Sequence, residues 1–511
     1  MRIFGQKKPL KILFVATEAA PFVKVGGLGS VMYSLPKALA ELGHDARIMI
    51  PRYLSIDNSI YNLKIEERGL TVPTDNPTGP SELVCNVKRH DPKGKSDTVT
   101  TYFLENQEYY EQRANVYGYA DDIARWSLLC RGTLEFLRVN KNWQPDIIVS
   151  SDWQTGLIPN LLKTKYKDDR VLSRISSVFS IHNLYYQAMF DHKFVADADR
   201  DTGLTPVPGM LDPLLDKVNW MRRGIMHADV VNTVSPNYAR EIMTKDYGEL
   251  LDDLLRERRS VISGILNGID YNLWNPEKSA SVPYKFSIDK LAPRAQNKKF
   301  LQERFGLEVS DSKFLISFAG RLSKQKGLDI LFPIMDRLLE ELPIQLVIVG
   351  DGESDIMGFF HDLASRHKGK VATHLKFDPV LPHMVFAGSD ALIMPSRFEP
   401  CGLAQMEAMH MGAVPIVRKT GGLVDSVEDY NPEKGTGTGF VFDRFDSTSF
   451  MITLIRAFEN FRDKKKWRAL QIRCMKRDFS WKASAEKYLE LFGRAIEVHE
   501  NYQPNQRDNQ S

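Results

Sequence analysis

Residues 395–428, PSRFEPCGLAQMEAMHMGAVPIVRKTGGLVDSVE, follow a short apolar run, Ala391-Leu392-Ile393-Met394, and carry the reading of the fold. A short apolar run closed by Pro395 and Ser396 reads as a buried parallel strand. Pro400 and Gly402 mark a tight turn, and helical spacing follows from about Leu403 to Met411. Glu399 therefore falls where strand becomes helix, with the amides of Cys401, Gly402 and Leu403 beside it. A second strand, Val414 to Val417, feeds Thr420, Gly421 and Gly422, another glycine turn that opens a helix. In open α/β sheets, ligands bind outside the carboxyl ends of strands, where helix N-termini present free amides. A carboxylate there accepts hydrogen bonds from ligand hydroxyls while the amides donate to ligand oxygens, so a sugar or phosphate suits the place. Taken alone, Glu399 equally suits a helix-dipole role, and the glycines the relief of strain.

The same alternation runs through the chain. Lys11 to Thr17 reads as a strand, followed by the loop KVGGLG at Lys24 to Gly29, a helix from Ser30 to Leu42, the C-terminal Gly43, and a strand from Ala46 to Ile50. From Tyr61 to Phe103 the pattern is strands and hairpins, and Asp121 to Val139 reads as a long amphipathic helix. The runs Asp146 to Ser150, Val178 to Ile181 and Ala228 to Val234 are further strands; the first two end in Ser151-Asp152-Trp153 and His182-Asn183. After Asn267-Gly268 a fresh series begins: the charged, proline-punctuated stretch Ser279 to Asn297, then the strands Phe314 to Ala319 and Gln345 to Val349. Two α/β domains with doubly wound parallel sheets follow, 1–265 and 266–481, as expected for 511 residues. A helix from about Trp481 to Glu500 and a polar, disordered tail over 501–511 complete the chain.

Polar residues gather at the predicted strand ends. Phe314 to Ala319 runs into Gly320-Arg321-Leu322-Ser323-Lys324-Gln325-Lys326-Gly327. A planar Arg fork and a compact Lys charge suit a diphosphate, although a solvated basic loop has the same composition. Lys24-Val25-Gly26-Gly27-Leu28 offers a second anion cradle or simply a tight turn; it is neither a P-loop nor GxGxxG. Asp152 could be a helix N-cap ahead of Trp153 to Leu162, and His182 a packed strand-end histidine.

Composition bounds the function. The net charge of +3 is small for this length and argues neither for nor against nucleic acid, and Lys464 to Lys466 reads as a solvated helix face. Four scattered cysteines give neither a metal-ligand spacing nor a disulfide framework, which fits a reducing, cytoplasmic setting. No apolar run is long enough to span a bilayer, and MRIFGQKKPL lacks a signal core, so the chain reads as mature from its first residue.

Seven segments in order, KVGGLGSVMYSLPKALAELGHDARIMIPRY, SDWQTGL, SIHNLYYQ, NTVSPNYAREI, GILNGIDYNLWNP, AGRLSKQKGLDIL and PSRFEPCGLAQMEAMHMGAVPIVRKTGGLVDSV, closely resemble the bacterial glycogen synthases and plant starch synthases. The likeness covers Lys11 to about Phe492. It implies a GT-B fold, two Rossmann-like domains facing across a deep cleft, and a cytoplasmic glycosyltransferase of glycogen biosynthesis. The implied reaction is retaining transfer of glucose from ADP-glucose to the non-reducing end of an α-1,4-glucan (glycogen or a maltooligosaccharide), without metal, cofactor, nucleic acid or membrane. Carried onto matching positions, Arg321 and Lys326 hold the diphosphate, and Glu399 grips the glucose 3- and 4-hydroxyls with the amides of Cys401, Gly402 and Leu403. Lys24, Gly26 and Gly27 close on the donor, His182 lies on the reacting face, and Asp152 and Asn183 lie near glucose and acceptor. Phe377 stacks on the adenine, Asn267 lies at the hinge, and Thr420, Gly421 and Gly422 line the donor site. The family's mechanism implies a same-face displacement driven by the departing phosphate, with hinges near Ile262 to Asp270 and Phe479 to Lys482.

The chain departs from the family pattern in places. Most members read Lys-Thr-Gly-Gly-Leu with an Asp two residues on, where this chain has Val25 and Ser30. Many carry His-x-His-Asp-Trp, here Val149-Ser150-Ser151-Asp152-Trp153; Ala404 replaces a common Thr, and Glu407 stands where Tyr is frequent and gives E-x7-E with Glu399. Three other readings stay open: a UDP-glucose-dependent glucosyltransferase, an epimerase or pyridoxal-dependent phosphorylase of the same fold, and a weakly active glucan-binding regulatory homologue.

Overall fold

The computed structural model describes residues 8–77, 79–94, 98–188 and 192–508, with side chains given to Tyr502 at the C-terminal end. The chain divides into two compact units: Met1–Val234 with Ala239–Ile265 and Trp481–Ser511, and Leu266–Ser480 with Ser235–Tyr238.

The N-terminal unit is built on a nine-stranded sheet of β1 (Lys11–Val15), β2 (Asp45–Pro51), β3 (Lys64–Pro73), β4 (Glu82–His90), β5 (Thr101–Glu105), β6 (Ile147–Ser151), β7 (Ser176–Ile181), β8 (Val230–Thr233) and β9 (Ile262–Gly264). Their order is β3-β4-β5-β2-β1-β6-β7-β8-β9. From β5 to β9 neighbours are parallel, while β4 runs antiparallel to both β3 and β5, so a hairpin extends one edge. The central strands are covered on both faces, which is why ILFV and IIV occur as unbroken apolar runs rather than alternating ones.

The helix Asp122–Val139, expected to be amphipathic, is instead buried from Arg125 to Leu137. Its charges tolerate this because each has partners: Arg125 donates to the carbonyls of Tyr109 and Val116, Arg131 pairs with Asp75, and Glu135 accepts from the Tyr166 hydroxyl at 2.5 Å. The C-terminal helix Trp481–Asp508 also belongs to this unit. Phe492 meets Phe14 edge-on at 6.5 Å, the Asn232 amide donates to the Tyr488 hydroxyl at 3.1 Å, and Asp229 takes both Lys163 and His499. The helix continues past Asn501, where a disordered tail was expected; Lys163 sits 4.7 Å over the Tyr502 ring, and Asn509 to Ser511 lie outside the described residues. The initial MRIFGQK likewise lies outside them.

The C-terminal unit holds a six-stranded sheet of β10 (Phe314–Ala319), β11 (Ile344–Val349), β12 (Val371–His374), β13 (Ala391–Met394), β14 (Val414–Arg418) and β15 (Phe440–Phe442). Its order is β12-β11-β10-β13-β14-β15, and every neighbouring pair is parallel. Serine in the buried β10 is satisfied across the sheet, Ser317 Oγ lying 2.8 Å from Ser389 Oγ. Asp390 accepts the Leu315 amide at 2.9 Å and pairs with Lys298 at 2.7 Å, which fixes the start of β13 against β10. A parallel sheet with its carboxyl ends on one edge thereby brings the loops after β10, β12, β13 and β14 to that edge. The chain crosses between the units at Ile265 to Leu266 and at Ser480 to Trp481.

Candidate active site

In the C-terminal unit the site is a set of loops at adjacent strand ends. Arg321 follows β10 and is exposed, with no hydrogen bond or ion pair among the described residues. Lys326 closes a short helical turn, Lys324–Lys326, and its Nζ lies 2.6 Å from Glu399 Oε2. Glu399 is 5% exposed and also accepts from the Ser396 hydroxyl at 3.0 Å, so its carboxylate is held on one side while the other oxygen stays available. The amides of Cys401, Gly402 and Leu403 make no hydrogen bond to another described residue.

The glycine turn after β14 braces this loop. The Gly422 amide donates to the Glu399 carbonyl at 3.0 Å. A Cβ on Gly421 would stand 1.8 Å from that carbonyl oxygen, and one on Gly422 would stand 2.1 Å from the Cys401 oxygen. Gly421 also adopts φ +46°, a left-handed conformation that glycine takes at little cost. Behind the loop, the Gln405 amide donates to the carbonyls of Cys401 and Gly402 and to the Ser426 hydroxyl, and Arg418 donates to the carbonyls of Ser396 and Arg397. Thr420 is fully buried. The Cys401 thiol is pushed up to about 12 by burial, which keeps it a thiol, and it lies against the Asn267 backbone. Asn267 itself is buried, and its side-chain oxygen has no hydrogen-bond partner among the described residues. Phe377, on the loop after β12, is 80% exposed and stands apart from these contacts.

In the N-terminal unit, Asp152 follows β6 and His182 follows β7, the neighbouring strand. Asp152 adopts φ +58° and does not cap the helical turn Trp153–Thr155, contrary to one of its two sequence readings. Its carboxylate instead crosses to the next strand end and accepts the amides of His182 at 2.7 Å and Asn183 at 3.2 Å. Burial pushes the Asp152 carboxyl up to about 7, against the two amides that favour its charged form. Burial also pushes the His182 ring down to about 4, so it is a neutral imidazole near pH 7; its Nε2 lies 3.3 Å from the Ser180 hydroxyl.

Lys24 follows β1 on an exposed loop and has no partner among the described residues. The helix after it starts at Gly27, three residues before the expected Ser30. Just ahead of that start the buried Glu18 carboxylate accepts the Val25 and Gly26 amides. Sequence reading gave Glu18 no role, and Ser396 none either, because neither sits in a recognisable spacing; a carboxylate eight residues before a glycine pair is the only trace. Among the described residues no cluster of three or more His, Cys, Asp or Glu side chains is arranged to hold a metal ion, and no helix is long and apolar enough to cross a membrane.

A family model described as the starch synthase catalytic domain matches residues 11–257, and one for glycosyl transferases group 1 matches residues 299–469. A glycogen synthase from Geotalea daltonii is 38% identical over 488 residues, spanning 94% of this chain and 98% of that protein. A glycogen synthase from Moorella thermoacetica is 39% identical over 493 residues, spanning 96% of this chain and 98% of that one. Among solved structures, the catalytic domain of starch synthase IV from Arabidopsis thaliana, bound to ADP and acarbose, matches with a TM-score of 0.82 at 32% identity, over 96% of this chain and 100% of that chain. A sucrose-phosphate synthase from Thermosynechococcus elongatus shares the fold, with a TM-score of 0.58 at 16% identity, 96% coverage of this chain and 100% of that one. Two parallel-sheet units of GT-B type and near-full-length relatives at this identity place the chain in the glycogen synthase and starch synthase family of glycosyltransferases.

Proposed function

We propose that this chain is a glycogen synthase that transfers glucose from ADP-glucose to the non-reducing end of an α-1,4-glucan, with retention at the anomeric carbon. The observation that carries the reading is the cluster after β10 and β13. An unpaired Arg321, a Lys326–Glu399 pair 2.6 Å apart and three unbonded amides occupy neighbouring strand ends of one sheet. Breaking the bond to a nucleoside diphosphate places negative charge on its phosphate oxygens. Arg321 and Lys326 stabilise that charge, the term that typically dominates such catalysis. Glu399, steadied by Lys326 and Ser396, accepts hydrogen bonds from glucosyl hydroxyls, and the amides of Cys401 to Leu403 donate to the remaining oxygens.

Phe377 offers an exposed ring on which a purine stacks, which favours ADP over UDP as the leaving group. Asn267 lends its unpaired side-chain oxygen to the ligand, and Thr420, Gly421 and Gly422 keep the Glu399 loop in place. In the N-terminal unit, which serves the glucan, the neutral His182 ring and the Asp152 carboxyl meet sugar hydroxyls, and Asn183 adds an amide. Lys24, carried on the Gly26–Gly27 turn, offers an exposed cation to an anionic ligand. All groups that this chemistry requires are side chains and amides of the chain, with ADP-glucose as a substrate rather than a cofactor.

The test is the linkage of the product. Glucose transferred from labelled ADP-glucose onto glycogen should be released by an α-1,4-specific exo-glucosidase. Label that resists that enzyme, or that only a β-specific glucosidase releases, would contradict the proposal.

A further inference from the structure

Glu18 lies just beyond β1 and is 2% exposed. A buried carboxylate is costly unless its oxygens are bonded. Here Oε2 accepts the amides of Val25 at 2.5 Å and Gly26 at 2.9 Å, and the Tyr117 hydroxyl reaches Oε1 at 3.3 Å while sharing a 2.7 Å bond with Thr17 Oγ1. Among the described residues no cation forms an ion pair with it. The backbone wraps closely round the carboxylate: a Cβ on Gly29 would come within 2.9 Å of Oε2 and 3.2 Å of the Lys24 side chain. Gly29 thus has no room for a side chain because Glu18 and Lys24 fill the inside of the turn. Glu18 is also a charge that Asp152, His182 and Tyr117 all feel, so it connects the Lys24 turn to the strand-end pair.

We propose that Glu18 is a positioning residue for the transfer reaction, holding the Lys24–Gly29 turn in its ligand-binding form. This rests on the function proposed above. The Ala20 amide holds the far end of the turn through the Gly29 carbonyl at 3.0 Å, and Glu18 takes the Val25 and Gly26 amides that follow Lys24, fixing the backbone that aims it.

The experiment compares Glu18→Gln and Glu18→Ala in the full chain by three readouts: KM for the nucleotide-sugar, kcat, and the rate of tryptic cleavage after Lys24. Gln keeps an oxygen for the Val25 and Gly26 amides. It should hold KM and kcat within about 3-fold and protect Lys24 as in the wild type. Ala should raise KM at least 10-fold and speed cleavage after Lys24 at least 10-fold. Wild-type KM and wild-type cleavage in Glu18→Ala would overturn the proposal. Because proteolysis needs no turnover, it tests the anchor even if the transfer activity proves to be a different one. If Glu18→Ala does not fold, Glu18→Gln decides: wild-type protection of Lys24 bears the anchor out, and cleavage at least 10-fold faster overturns it.

Discussion

Gly421→Ala is the substitution whose effect follows most directly from the coordinates. The new Cβ would stand 1.8 Å from the Glu399 carbonyl oxygen and 2.7 Å from its carbon, and both atoms are backbone. Reaching ordinary contact of about 3.4 Å obliges the Glu399 carbonyl to withdraw by more than about 1 Å, with overpacking of this kind costing about 1–3 kcal/mol. The φ of +46° adds about 1 kcal/mol for a residue with a Cβ. Displacing the carbonyl also weakens its 3.0 Å bond from Gly422, a further loss of about 1 kcal/mol. The total is about 3–5 kcal/mol, which at about 2–4 °C per kcal/mol should lower the melting point of the C-terminal unit by about 6–20 °C. Where the chain still folds, the carboxylate of Glu399 moves with its backbone, and a misplacement of about 1 Å costs about 100-fold in kcat. Gly358→Ala, in the same unit and away from the site, is the control, because a Cβ there meets nothing within 4 Å. Differential scanning calorimetry and transfer kinetics on both variants check the argument. A Gly421→Ala protein that melts and turns over like the wild type would refute it.

Other consequences can be checked alongside. Glu399→Gln keeps the shape but leaves Lys326 without its charge partner, and should cut kcat about 100-fold or more while circular dichroism stays that of the wild type. Asp152 is raised to about 7 in the fold by burial, so ionising it opposes folding: stability contributed by the protonated form is lost as pH rises from about 4 to about 7 and is constant above. Asp152→Asn, which still accepts the His182 and Asn183 amides, should therefore gain on the wild type by about 1.4 kcal/mol per pH unit across that window in urea denaturation, and a gain in the opposite direction would exclude it. Phe377→Ala should raise KM for the nucleotide-sugar about 3- to 10-fold with kcat and melting point little changed, since the exposed ring contributes stacking and no packing.

The strands were legible because the central strands of both sheets are buried on two faces, and FLISFA and ALIM can hardly be anything but inner strands. The glycine turns after them were legible for the same reason, since a turn must follow each run. What sequence could not show is closeness across long separations. Lys326 and Glu399 are 73 residues apart, and the pairing depends on β10 and β13 being neighbours. The tight approach of Gly421 to Glu399 likewise arises from the neighbouring of β13 and β14. Glu18 was invisible because its partners are backbone amides, which carry no sequence signal. Asp152 misled locally: an acidic residue before a helical turn resembles a cap, but its carboxylate finds the amides of the next strand end instead. The helix Trp481–Asp508 outruns the tail expectation because polar composition alone does not stop a helix that is already anchored through Tyr488, Phe492 and His499.

The central claim is most directly tested by measuring nucleotide release and glucose incorporation on glycogen with ADP-glucose and UDP-glucose side by side. The account predicts rapid ADP release matched mole for mole by glucose added to the glycogen, with UDP-glucose used far more slowly. Turnover with UDP-glucose alone would contradict the proposed donor. Silence with both donors, with glucan binding retained, would contradict the synthase activity itself and turn attention to Val25 and Ser30, where this chain departs from its family.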